Sequence, residues 1–121
     1  PYNRVNPLCG SYDRMNKVLT ILWCSLPQEP APYVNSKWGL QDHPYKGDVI
    51  HSYNDGPVED GSVMGPFYEI ETSSPGAELL PGGSMKHTQR MIHFQGDESA
   101  LAGIVSGLFD LDLEEIAGRF Q

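Results

Sequence analysis

The chain has 121 residues, room for one small hydrophobic core and not for two independent ones. Eight basic residues against sixteen acidic ones give a net charge of -8, which repels phosphate backbones and anionic headgroups, so neither nucleic acid nor a membrane surface is an expected partner. With 39% hydrophobic residues and 13 glycines the composition is that of an ordinary globular protein, and the longest apolar run, Val18 to Leu26, is broken by Thr20 and Ser25 and falls short of the roughly 18 residues of a spanning helix.

Residue 1 is Pro, and no basic stretch followed by an apolar one marks a targeting segment, so the expectation is a processed product or a piece of something longer. The two cysteines, Cys9 and Cys24, lie in no CxxC or Cys/His metal spacing. Cys24 sits in an apolar strand, where it reads as a small buried hydrophobe, while Cys9 in Asn6-Pro7-Leu8-Cys9-Gly10 reads as exposed or paired.

Ten prolines and 13 glycines, many of them in clusters, punctuate the chain as in short strands joined by turns. Lys17 to Leu26 is apolar on both faces and predicts a central strand, ended by Pro27. Tyr33 to Leu40 alternates and predicts a strand with one wet face carrying Asn35 and Lys37, with Val34, Trp38 and Leu40 on the other parity. Gly47 to Tyr53 predicts a third strand. A turn-rich stretch follows up to Pro66, long for a structureless connection and therefore a candidate functional loop. Phe67 to Thr72 predicts a strand with Glu69 and Glu71 on one face. Pro75-Gly76 and Pro81-Gly82-Gly83 bracket a predicted short strand, Ala77 to Leu80, and a long strand is predicted from Ser84 to about Gln95. After Gly96 the apolar period lengthens to about 3.6, with Leu101, Ile104, Val105 and Leu108 on one helical face behind a capping Asp97. A second short helix is predicted from Asp112, with Glu115 completing a capping box. The expected architecture is one mainly β domain, an antiparallel sheet or β-sandwich over about 17–95 with one or two short helices over about 97–119.

Glu69 and Glu71 project from one strand face about 6.5–7 Å apart, a spacing at which two carboxylates can divide acid and base roles. If the 84–95 strand pairs with this one, its His87, Gln89 and His93 parity brings an imidazole, which titrates near neutrality, to the same surface. Arg90 lies on the opposite parity from His87, so without a bulge only one of the two faces that surface, and His87 is favoured. His87 and His93 are about 20 Å apart along a strand and do not share a metal, and His43 and His51 form no ligand motif, so no metal and no cofactor is expected. Trp38, Tyr45, Tyr53, Asn54, Asp55 and Arg90 combine aromatic faces with hydrogen-bonding groups, as sugars require, and Tyr33, Trp38, Tyr45 and Tyr53 equally suit a core or a turn. No phosphate cradle or nucleophile elbow is present.

Gly65-Pro66-Phe67-Tyr68-Glu69-Ile70-Glu71-Thr72-Ser73-Ser74-Pro75, Leu80-Pro81-Gly82-Gly83-Ser84 and Lys86-His87-Thr88-Gln89-Arg90-Met91-Ile92-His93-Phe94 together resemble the C-terminal part of an uncharacterised bacterial family. Gly10-Ser11-Tyr12-Asp13, Tyr33-Val34-Asn35-Ser36 and Ser52-Tyr53-Asn54-Asp55-Gly56-Pro57 fit the same family, whose members are longer at the N-terminus. More distantly, the Glu-bearing strand, the turn, the Leu-x-Pro-Gly element and the closing strand are similar to the end of the galactose mutarotase-like β-sandwich of aldose epimerases. In those enzymes a glutamate takes the anomeric hydroxyl proton while a histidine protonates the ring oxygen. The resemblance implies that the base is Glu69 or Glu71, at a shorter distance from the Pro-Gly turn than in the epimerases. His51-Ser52-Tyr53-Asn54 is only superficially similar to a His-containing epimerase segment, and no catalytic role is carried over to His51.

The sequence thus leads to a sugar-facing surface with Glu69, Glu71 and His87 as acid and base groups and Tyr53, Asn54, Asp55 and Arg90 as binding groups. It serves for binding alone or for mutarotase-like isomerisation. The rival is a structural domain that completes a sandwich with a second copy, another chain or a missing N-terminal part. The resemblance favours a periplasmic or secreted location.

Overall fold

The structure, a computed structural model, describes residues 4–37 and 39–118. As the patterning predicts, it is mainly β and closes with two helices: β1 (Leu8–Asp13), β2 (Val18–Cys24), β3 (Ile50–Asn54), β4 (Tyr68–Thr72), β5 (Gln89–Gln95), α1 (Glu98–Phe109) and α2 (Leu113–Gly118). One sheet has the order β1-β2-β5, and β3 pairs with β4 in a second. Bonds from Cys24 N–H to the Pro7 carbonyl, Ser25 N–H to Thr88 and Gly96 N–H to Lys17 show both neighbours of β2 running antiparallel to it. β2 is buried at Leu19, Thr20, Ile21, Leu22 and Cys24, so it is covered on both faces, as its uninterrupted apolar run demands.

The chain forms two compact units. In the one made of Cys9–Leu22 and Arg90–Gln121, the buried side chains are Leu19, Thr20, Ile21, Leu22, Leu101, Val105 and Leu113. A β-carbon at Gly10 would lie 3.2 Å from Ile21 Cδ1 and 3.5 Å from Phe109 Cζ, so α1 lies on the Ile21 side of the sheet. The β1–β2 turn is organised by the Asp13 carboxylate, which accepts from Asn16 N–H at 3.0 Å and from its amide at 2.7 Å, and these bonds hold the carboxyl below its ordinary pKa. Arg14 at its tip reaches Glu98 of α1 at 3.6 Å and Glu114 of α2 at 3.1 Å.

Two details of the helices depart from expectation. Asp97 occupies the N-cap of α1 through its backbone, with no side-chain capping bond, and Leu108 on the predicted apolar face is 48% exposed. At α2, Asp112 serves as the N-cap, its Oδ1 accepting from Glu114 N–H at 2.7 Å. Asp110 ends α1 in the left-handed region at φ 54, where glycine is preferred, and puts a negative charge at the negative end of the helix dipole. Asp110→Gly is therefore expected to stabilise the chain by about 1 kcal/mol, a rise in Tm of about 4 °C by calorimetry.

In the other unit, Pro1–Leu8 with Trp23–Gln89, Cys24, Tyr33 and Val49 form the buried cluster, with Leu26 and Ile50 packed against it. Cys24 is the buried thiol expected, and Cys9 is a half-buried thiol in no disulfide among the described residues. The Tyr33 hydroxyl, although the residue is 1% exposed, finds no hydrogen-bond partner among the described residues. Tyr33→Phe removes an unsatisfied donor, so chemical denaturation should show no loss of stability and a gain of up to about 1 kcal/mol.

Three predicted strands are shorter or missing. Among the described residues of 33–40 only Tyr33 pairs, in an isolated bridge with Lys46, because Asn35 Oδ1 captures Lys37 N–H at 3.0 Å in a turn that competes with a ladder. Trp38 lies outside the described residues. Residues 77–80 form no strand; Leu80 is exposed and its carbonyl closes a turn with Gly83 N–H at 2.8 Å. The long strand begins only at Gln89, since the register that sets Thr88 against Ser25 next meets Leu26 and then Pro27, which has no N–H to give.

Candidate functional site

In the β3–β4 ribbon the register sets Ile50 against Thr72, His51 against Glu71, Ser52 against Ile70, Tyr53 against Glu69 and Asn54 against Tyr68. Opposed residues share a face and alternate along the strand. Ile50 is turned to the apolar cluster, so its face, with Ile70 and Thr72, is the inner one. The outer face carries His51, Tyr53, Glu69 and Glu71. Opposed β-carbons lie about 4.5–5.5 Å apart, which brings the His51 ring and the Glu71 carboxylate within reach of one small molecule.

The His51 imidazole is held at both nitrogens. Nδ1 lies 3.0 Å from Ser36 Oγ and Nε2 lies 2.9 Å from Ser73 Oγ. Ser36 is brought there by a close chain crossing, in which Gly47 N–H donates to the Tyr33 carbonyl at 2.8 Å and Asn35 N–H to the Pro44 carbonyl at 2.7 Å.

At the far end of the same face, Tyr53 donates its phenol proton to Asp55 Oδ1 at 2.9 Å, while Asp55 Oδ2 accepts from Gly65 N–H at 2.6 Å. The Tyr53 ring lies 6.1 Å from that of Phe67. One carboxylate thus closes the base of the 55–67 loop. The Gly65 N–H holds Asp55 below the ordinary aspartate pKa, and the bond to Asp55 raises the Tyr53 phenol above its own. Because the folded pKa of Asp55 is lowered, its contribution to loop order is fully present above the ordinary aspartate value and is lost as pH falls through the folded one. The amide proton shift of Gly65, followed by NMR, should titrate with a midpoint below that ordinary value; a midpoint at or above it would contradict this pinning.

The structure gathers some of the predicted site residues and separates others. Glu69, Glu71 and Tyr53 share the outer face, with Asp55 bonded to Tyr53. Asn54 falls on the inner parity, opposite Tyr68. The partner strand of Glu69 and Glu71 is β3, whereas β5 pairs with β2. His87 nonetheless reaches the end of β4, its Nε2 2.9 Å from Thr72 Oγ1, on the inner parity away from the carboxylates. Thr72 gives its single hydroxyl proton to Gln89 Oε1 at 2.7 Å, so Nε2 of His87 is the donor in the bond between them. His93 bonds Thr20 at 2.8 Å, and Arg90 is an exposed residue of β5 in the other compact unit. Tyr33 is a core residue and Tyr45 is exposed.

The imidazole beside the carboxylates is therefore His51, with Ser36 and Ser73 as its partners, and sequence reasoning passed over all three. The signal for His51 was the shared parity of His51 and Tyr53 on a strand flanking the same loop as Glu69 and Glu71. Among the described residues no three His, Cys, Asp or Glu side chains converge on a metal-binding geometry.

A family model described as a family of unknown function, DUF6786, matches residues 1–120. The chain belongs to that family. Membership in DUF6786 agrees with the likeness to an uncharacterised family drawn from the 65–75 and 86–94 segments. Comparison with the curated proteins and with the solved structures finds no match.

Proposed function

We propose that the outer face of the β3–β4 ribbon is a sugar site at which an acid and a base exchange protons with a hemiacetal, as in a mutarotase-like isomerase. The observation that carries this reading is the register that sets His51 against Glu71 and Tyr53 against Glu69. Glu71 takes the proton of the anomeric hydroxyl as His51 protonates the ring oxygen; the ring C–O bond breaks, and reclosure on the other face of the carbonyl returns both protons. Tyr53 offers a ring to the apolar face of the sugar, and Glu69 accepts from a hydroxyl. The likeness of the 67–84 segment to the closing part of the aldose epimerase sandwich points the same way.

Proton NMR of a panel of reducing sugars with catalytic amounts of the protein tests it. Faster exchange between the anomers is the expected result. Line broadening without exchange would reduce the site to a binding module, and neither effect with any sugar would overturn the reading.

The rival assembly reading is favoured by β5, an edge strand with Met91 and Ile92 each 44% exposed. Light scattering separates the two, since an assembly domain forms a defined oligomer.

A further inference from the structure

We infer that Ser73 is a nucleophile activated by His51, a second reactive centre on this chain suited to small carboxylic esters. Ser73 follows the last residue of β4, and its N–H donates to the Val49 carbonyl at 2.9 Å, so the β3–β4 ladder continues one residue past its last strand pair and fixes the serine backbone. The Ser73 side chain meets His51 diagonally across the ladder, beside its direct opposite Val49, which is buried in the apolar cluster. Its Oγ lies 2.9 Å from His51 Nε2, hydrogen-bonding distance for proton transfer, and His51 Nδ1 lies 3.0 Å from Ser36 Oγ. Nucleophile, base and a group orienting the base thus stand in line, the arrangement that activates serine hydroxyls in unrelated folds. In the neutral tautomer that carries its proton on Nδ1, toward Ser36, the Nε2 lone pair faces the Ser73 hydroxyl; the sugar chemistry instead uses the ring with a proton to give.

Of the two serines on His51, Ser73 is the half-buried one anchored to a ladder, whereas Ser36 is exposed; the first suits the nucleophile and the second a positioning residue. In the step itself, Ser73 Oγ forms a bond to the ester carbonyl carbon as its proton passes to His51 Nε2. The ester C–O bond then breaks, and the leaving alcohol takes that proton. Water attacks the acyl-serine, gives a proton to His51, and the freed Ser73 oxygen recovers it as the carboxylic acid departs. This goes beyond the sugar reading, which does not need Ser73.

The test is covalent capture with an alkyl fluorophosphonate, where a Ser73 Oγ–P bond replaces the P–F bond and fluoride leaves. Mass spectrometry should find one adduct per chain, located on Ser73 by peptide fragmentation and absent from Ser73→Ala. His51→Gln should label about a hundredfold more slowly. Ser36→Ala should also slow labelling, with recovery in Ser36→Thr, which restores the hydroxyl. Wild-type protein that takes no adduct, or takes it on Ser36 or any other serine, overturns the assignment whether or not a variant folds. So does undiminished labelling of His51→Gln.

Discussion

Gly47→Ala is expected to cost the fold about 3 kcal/mol or more. A β-carbon at Gly47 would stand 2.1 Å from the Val34 carbonyl oxygen, 2.5 Å from its carbon and 2.8 Å from Asn35 N. Favourable contacts between heavy atoms begin at about 3.5 Å, and all three neighbours are backbone, so no rotamer change relieves the overlap. The 33–35 and 46–49 segments would have to separate, with loss of the bonds from Gly47 N–H to Tyr33 and from Asn35 N–H to Pro44. Tyr33 and Val49, which belong to those segments, are two of the three buried residues of the cluster, so the damage reaches the core. Urea unfolding measures it, and a loss below about 1 kcal/mol would show that the crossing is looser than described. A milder version of the same movement would carry Ser36 away from His51.

The second large effect is on chemistry and leaves stability nearly untouched. On the proposed sugar chemistry, Glu71→Gln is expected to slow anomer exchange by about a hundredfold or more, because the amide keeps the shape of the carboxylate but has no basic oxygen. Glu71 is exposed on the outer face, so the melting curve should move little. Glu69→Gln, opposite Tyr53, should instead weaken binding and leave a measurable exchange rate. Unchanged exchange in Glu71→Gln would remove this carboxylate from the site, and a greater loss in Glu69→Gln would reverse their roles.

Strand and helix content was legible because local pattern decided it. The run at Val18–Cys24 had no polar face and became a strand with neighbours on both sides, and the change to helical spacing after Gly96 became α1. β1 was not anticipated, since Leu8–Asp13 has neither alternation nor an apolar run and owes its pairing to β2. The 84–88 stretch had strand character, but it lacked a donor where Pro27 came into register, a fact that belongs to the partner and not to the segment.

The candidate site was legible by half for the same reason. Periodicity alone put Glu69 and Glu71 on one face; which histidine met them depended on which strand lay alongside. Reading the 84–95 strand as the neighbour selected His87, and the actual neighbour selects His51. Ser36 is more remote still from any sequence signal, because it arrives through a chain crossing that only a residue without a side chain permits.

The β3–β4 ribbon also has a kind of error protection. Sliding one strand past the other by a single residue would exchange its two faces, sending Glu69 and Glu71 toward the apolar cluster and Ile70 into water. The greasy side of the ribbon therefore acts as the alignment key for its wet side: the register that hides Ile50 is the one in which His51 meets Glu71, and a chain that folds at all has already assembled the pair.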